Sequence, residues 1–154
     1  MPAIKFSCHK FISQLPDAIS GQIADIEKWK DFKGHGFLPG IADAYFDPKT
    51  SDMVGSKIRV KNTDGSLHIE EILIWEADAE ILMRLHEFSP PLNRIASHFM
   101  EHWHLERVAG GTMVERAFEL YPKSIFTQPF LWIISLFFRK AIDKHLDEMA
   151  GNTK

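Results

Sequence analysis

The sequence predicts an α+β fold in which a curved, seven-stranded antiparallel sheet wraps a long C-terminal helix, with two short helices after the first strand. Three observations predict it. Six strand-like runs follow one another up to Tyr121. Two of their junctions, Asp64-Gly65 and Gly110-Gly111, carry tight-hairpin signals, and the chain closes on its one long apolar helical stretch. Antiparallel strands with segregated helices are the α+β pattern. The strand-rich middle cannot bury its apolar face alone, and the terminal helix is the only element large enough to cover it.

The elements follow in order. Residues 4–12 alternate weakly and read as the first strand. Ser13 stands as a helix cap, with Pro16 and Asp17 in the first turn. Leu15, Ile19, Ile23 and Ile26 recur at helical spacing, so this helix runs to about Asp25. A second short helix covers residues 27–32. Gly34, Gly36, Pro39 and Gly40 then mark a turn before an irregular strand through Phe46. Residues 57–62 and 67–75 flank Thr63-Asp64-Gly65-Ser66, and residues 81–88 form a further strand ending at Ser89-Pro90-Pro91. Residues 97–108 and 112–121 form the second hairpin. The last helix covers residues 124–149, or begins after a short turn at Pro129, which suits a first helical position.

Composition bounds the function. The chain has 154 residues, 45% of them apolar and 25% charged, which fits one soluble domain over residues 1–154. A formal net charge of −3 offers no basic surplus for nucleic acid. Cys8 is the only cysteine, so no internal disulfide forms. The opening residues lack the apolar core of a signal peptide, and a cytoplasmic setting is expected. The most apolar run, residues 129–138, falls short of the roughly 20 residues of a spanning helix and reads as a core helix, with no stable membrane insertion.

Hairpin register predicts facing, because a strand alternates its side chains between two faces. With Asp64-Gly65 as a two-residue turn, Val60 pairs with Ile69 and Ile58 with Glu71. Ile58, Val60, Ile69, Leu73 and Trp75 then point inward together with Glu71. Arg59 pairs with Glu70, and Lys61 with His68, on the solvent face. With Gly110-Gly111 as the second turn, Leu105 pairs with Arg116, Trp103 with Phe118 and Glu101 with Leu120. The apolar face carries Phe99, Trp103, Leu105, Val114, Phe118 and Leu120, and also Glu101 and Arg116. For the strand over 81–88, either Ile81, Met83 and Leu85 face in, or Leu82, Arg84, His86 and Phe88 do.

Three ionisable residues, Glu71, Glu101 and Arg116, thus fall on an apolar concave face, where a charge must be paired or hydrated. They form an internal ion pair or wet rim, or they are the few polar groups that orient a ligand in an apolar pocket. His98, His102 and His104 share the opposite, solvent face, with Glu119 opposite His102. No zinc-ligand motif accompanies them, and no metal is expected. No nucleophile-elbow, metalloprotease or phosphate-loop motif occurs. Trp29, Trp75, Trp103 and Trp132 fill the core or line a pocket.

Several segments resemble one superfamily. The run from Ile23 to Phe32, with Asp25, Trp29 and Phe32 spaced through it, resembles the opening of SRPBCC (START-like, helix-grip) proteins. Pro39-Gly40-Ile41, Ile58-Arg59-Val60, Glu70-Glu71-Ile72 before Trp75-Glu76, and Gly111 through Phe118 are similar to its polyketide cyclase/dehydrase-like branch. The resemblance covers nearly the whole chain and implies a helix-grip fold with a deep cavity between the sheet and the terminal helix. It implies binding of an apolar or aromatic small molecule or lipid, with no cofactor. Trp75, Phe99, Trp103 and Phe118 would supply apolar contact, and Arg116 would meet an anionic or carbonyl group. The alternative is a cyclase/dehydratase-type enzyme, with Glu71 or Glu101 as general base and Arg116 stabilising a developing enolate. A third reading is a lipid carrier that touches membranes through residues 130–138. A homodimer is compatible with each.

Overall fold

The structure is a computed structural model and describes residues 2–151. Seven strands form one antiparallel sheet: β1 (Ile4–Ile12), β2 (Ile41–Phe46), β3 (Lys57–Asn62), β4 (Leu67–Glu76), β5 (Glu80–His86), β6 (Ala96–Val108) and β7 (Gly111–Pro122). Their spatial order is β1-β7-β6-β5-β4-β3-β2. Helix α1 (Pro16–Ala24) and a short 3₁₀ helix (Ile26–Asp31) follow β1, and α2 (Gln128–Met149) ends the fold. Helix α2 buries Leu131, Ser135, Phe138, Ala141, Ile142 and Leu146 against the concave face of the sheet. That spacing keeps one stripe on one side of the helix. Phe138 packs its ring against Phe6, Phe99 and Phe118, which lie on three different strands. This is the helix-grip α+β fold.

Two local expectations are corrected. Ser13 does not cap α1. The capping position is Leu15, with no side-chain hydrogen bond, and Pro16 opens the helix. Ser13 is still held beside the second hairpin, where its Cα lies 2.8 Å from the place a Gly111 side chain would occupy. Position 111 must therefore be glycine, because an added Cβ would also lie 2.3 Å from the Ile12 carbonyl oxygen. In β5, Ile81, Met83 and Leu85 are the buried set, which decides between the two facings left open by the sequence.

Both hairpins differ in register from expectation, with different consequences. In the first, Ile58 pairs with Glu70 and Val60 with His68, one residue away from the expected alignment. Asn62 and Ser66 close the turn, so the loop holds Thr63, Asp64 and Gly65, and Gly65 adopts φ 88°. A three-residue loop with its last residue left-handed is the second common way to use Asp-Gly. One step of register reverses the side chains of β4 against an unchanged β3, up to the bulge after Ile72. Glu70 and His68 therefore face inward, and Glu71 and Ile69 face outward. Arg59 pairs with Asp47 at 2.9 Å instead of with Glu70. A bulge between Ile72 and Ile74 then restores the facing for Trp75, which lies opposite Ile81.

In the second hairpin Ala109 and Gly110 form the turn, and Trp103 pairs with Arg116, Glu101 with Phe118 and Phe99 with Leu120. The shift is two residues, so every predicted facing on β6 and β7 survives.

Candidate functional site

A cavity of about 540 Å³ lies between the sheet, α2, and the segment from the 3₁₀ helix to β2. That volume falls in the usual range for small-molecule pockets. Much of its wall is apolar: Leu38, Met83, Leu85, Phe99, Phe118 and Ile134 line it. Its charged lining groups include Lys28, Asp31 and Lys33, all exposed, and a deep cluster beneath α2.

The deep cluster is built from three elements. Arg116 stands in the middle of β7, between Cys8 on β1 and Trp103 on β6. Its Nε donates to Glu101 Oε2 at 2.5 Å, and its Nη1 donates to His145 Nδ1 at 3.1 Å. The guanidinium carbon lies 4.3 Å from the Trp103 ring centroid, a cation–π geometry. Glu101 and Arg116 are only 4% and 11% exposed in their side chains, so the pair is almost fully desolvated. Burial pushes the Glu101 carboxyl up, while Arg116 pulls it back down and nearby Glu70 adds to the rise.

His145, on α2, is pushed down to about 3, chiefly by burial and further by Arg116. It is therefore neutral at physiological pH. Arginine offers only donors, so Nδ1 must accept and the ring proton sits on Nε2. Among the described residues Nε2 makes no hydrogen bond. The indole N–H of Trp103 lies near enough to Glu101 to favour its charged form, yet it has no partner of hydrogen-bond geometry. A second buried pair completes the polar lining: His68 Nε2 and Glu70 Oε2 lie 2.9 Å apart.

The sequence-predicted residues divide as follows. Phe99, Glu101, Trp103, Arg116 and Phe118 all line the cavity. Glu71 does not: it sits opposite Lys57, 3.4 Å from His86, on the outer face. Its place is taken by Glu70. Trp75 does not line the cavity either: it packs half-buried against the core. Sequence reasoning missed His68, Glu70 and His145. The signal for His145 was present, because it lies three residues after Ile142 on the buried stripe of α2. Cys8 is buried, and burial raises its thiol, which leaves an unreactive group.

No family model and no curated protein matches this chain by sequence. Solved structures do match. A START superfamily protein from Mycobacterium smegmatis superposes with a TM-score of 0.71 over 98% of each chain, at 11% identity. The fold is START-like. Major latex-like protein 151 from Panax ginseng gives a TM-score of 0.64 at 13% identity, over 94% of this chain and 98% of that one. The two-domain ARO/CYC protein StfQ of the steffimycin biosynthetic pathway gives 0.67 at 11% identity, over 97% of this chain and 52% of that one. The helix-grip architecture anticipated from the sequence is the one these structures share. No helix among the described residues is long and apolar enough to cross a membrane.

Proposed function

We propose that the chain binds an apolar or aromatic small molecule, or a lipid, in the cavity between sheet and α2. Arg116 and its neighbours meet the ligand's one polar end. The supporting observation is the concentration of donors at one place in an apolar cavity: Trp103 Nε1, His145 Nε2 and the Nη2 of Arg116 make no hydrogen bonds among the described residues. Donors gathered in an apolar wall favour a carbonyl or carboxylate there, and Trp103 Nε1, the buried one of the three, costs about 1–3 kcal/mol while unmet. The apolar wall supplies most of the affinity, at roughly 25 cal/mol per Å² of apolar surface removed from water.

A second reading, proton transfer of the cyclase/dehydratase type, draws on the raised Glu101 carboxyl beside Glu70. The relation to an ARO/CYC protein in fold is compatible with it. Yet both carboxylates are already engaged, Glu101 with Arg116 and Glu70 with His68. This favours binding over a free general base.

The test is displacement of a cavity-binding fluorescent probe by a panel of aromatic carboxylates and fatty acids. Arg116→Ala leaves Glu101 unpaired, so the double variant Arg116→Met/Glu101→Met is measured beside it. Loss of at least about tenfold in carboxylate affinity, against unchanged affinity for an uncharged hydrocarbon analogue, is expected, a difference of about 1.4 kcal/mol. Equal affinity for both ligands in wild type and double variant would remove Arg116 from the site.

A further inference from the structure

The convex face of the sheet holds a cluster that the cavity does not use. Glu80 opens β5 directly opposite His104 on β6. His102 lies two residues before His104 on the same strand, so both imidazoles leave the same face. The Glu80 Oε2 and His102 Nε2 atoms are 2.6 Å apart, and the two imidazole centroids are 3.9 Å apart. One ligand atom from each of the three residues lies within 4.8 Å of the others. Two ligands on a tetrahedral zinc ion stand roughly 3.3 Å apart, given bonds of about 2.0–2.1 Å. Small side-chain rotations close that gap, since His104 is exposed and the other two are half-buried.

We propose that Glu80, His102 and His104 form a surface site for one borderline divalent transition-metal ion of the zinc class. The Glu80 carboxylate is hydrogen-bonded to only one of the two imidazoles, so an ion placed among the three would engage all of them. Two nitrogens and one oxygen suit zinc, nickel, cobalt or copper and disfavour magnesium and calcium, which take oxygen ligands. The remaining position is open to water on the solvent side. Glu115 lies opposite His104 on β7 and is held by His9 on β1, with 3.3 Å between His9 Nε2 and Glu115 Oε2. It adds negative charge beside the exposed imidazole. The sequence placed His98, His102 and His104 on this face with Glu119 and led to no metal being expected; Glu80 was outside the reading, because the predicted strand began at Ile81.

The experiment is calorimetric titration of tag-free, chelator-stripped full chain with Zn²⁺ at neutral pH, repeated with Mg²⁺. Cobalt(II) absorption serves as a second readout of coordination. One equivalent of Zn²⁺ should bind, Mg²⁺ should not, and a thermal-shift assay should show the ion stabilising the fold. His102→Ala and His104→Ala should each weaken binding at least about tenfold, and Glu80→Gln should weaken it measurably. His98→Ala, whose ring stacks on Tyr121 farther along β6, should leave binding unchanged. Absence of one-equivalent binding in the wild type would overturn the proposal. So would binding that persists unchanged in the His102→Ala/His104→Ala double variant.

Discussion

The two faces of β6 carry similar groups in opposite settings. Inward, Glu101 meets Arg116 with almost no water around either. Outward, one residue along, His102 meets Glu80 with about a third of each side chain exposed. Alternation of a strand alone separates the two sites. The difference teaches that chemistry is set by solvent here, not by residue type. On the concave face each ion depends on its partner, because desolvation leaves no alternative. On the convex face water substitutes for any partner lost.

The largest effect that would sharpen this contrast is on stability. Arg116→Ala should cost about 3–5 kcal/mol, because it strands Glu101. The double replacement Arg116→Met/Glu101→Met should recover most of that loss. Glu80→Ala on the outer face should cost no more than about 1 kcal/mol. Urea unfolding of the purified variants measures all three. Similar losses from Arg116→Ala and Glu80→Ala would erase the distinction between the faces.

Acid should act through the inner cluster next. Folded, His145 stays neutral down to about pH 3, whereas unfolded it binds a proton near its ordinary 6.5. Within that window only the unfolded chain gains the proton. The contribution is therefore complete above about pH 6.5 and is lost progressively as pH falls toward 3. Its size is on the order of a few kcal/mol, since each tenfold difference in proton affinity is worth about 1.4 kcal/mol. Glu101 works the other way: its raised carboxyl takes a proton more readily when folded, so its contribution grows as pH falls. The difference between wild type and His145→Gln isolates the histidine. Wild type should lose stability relative to the variant on acidification, and parallel pH curves would contradict a buried neutral imidazole.

The smallest effect tests facing on β4. Glu70→Ala leaves His68 buried without its partner and should cost about 1–3 kcal/mol. Glu71→Ala, at the surface, should cost less than about 1 kcal/mol. The reverse ranking would mean that the first hairpin keeps the two-residue turn.

That pair of glutamates also shows what the sequence could reveal. Element order was legible from periodicity and turn residues, down to β3 at its observed bounds. The inward set on β6 and β7 was legible too, although the turn sits at Ala109-Gly110, because a two-residue error leaves alternation intact. The first hairpin was not legible at the level of facing. Asp64-Gly65 fits a two-residue loop and a three-residue loop equally, and only the hydrogen bonds closing at Asn62 and Ser66 separate them. Glu70 and Glu71 are identical neighbours, so composition offered no second vote. His145 depends on packing across elements far apart in the chain, and the Glu80 cluster on the register between β5 and β6, which no local pattern encodes.

Native mass spectrometry of freshly purified protein addresses the cavity most directly. A discrete mass adduct of an apolar or aromatic compound is predicted on the wild type, reduced in a Phe118→Trp variant that fills the cavity. An adduct-free spectrum, together with no uptake of fatty acids or aromatic carboxylates added in excess, would contradict the binding role.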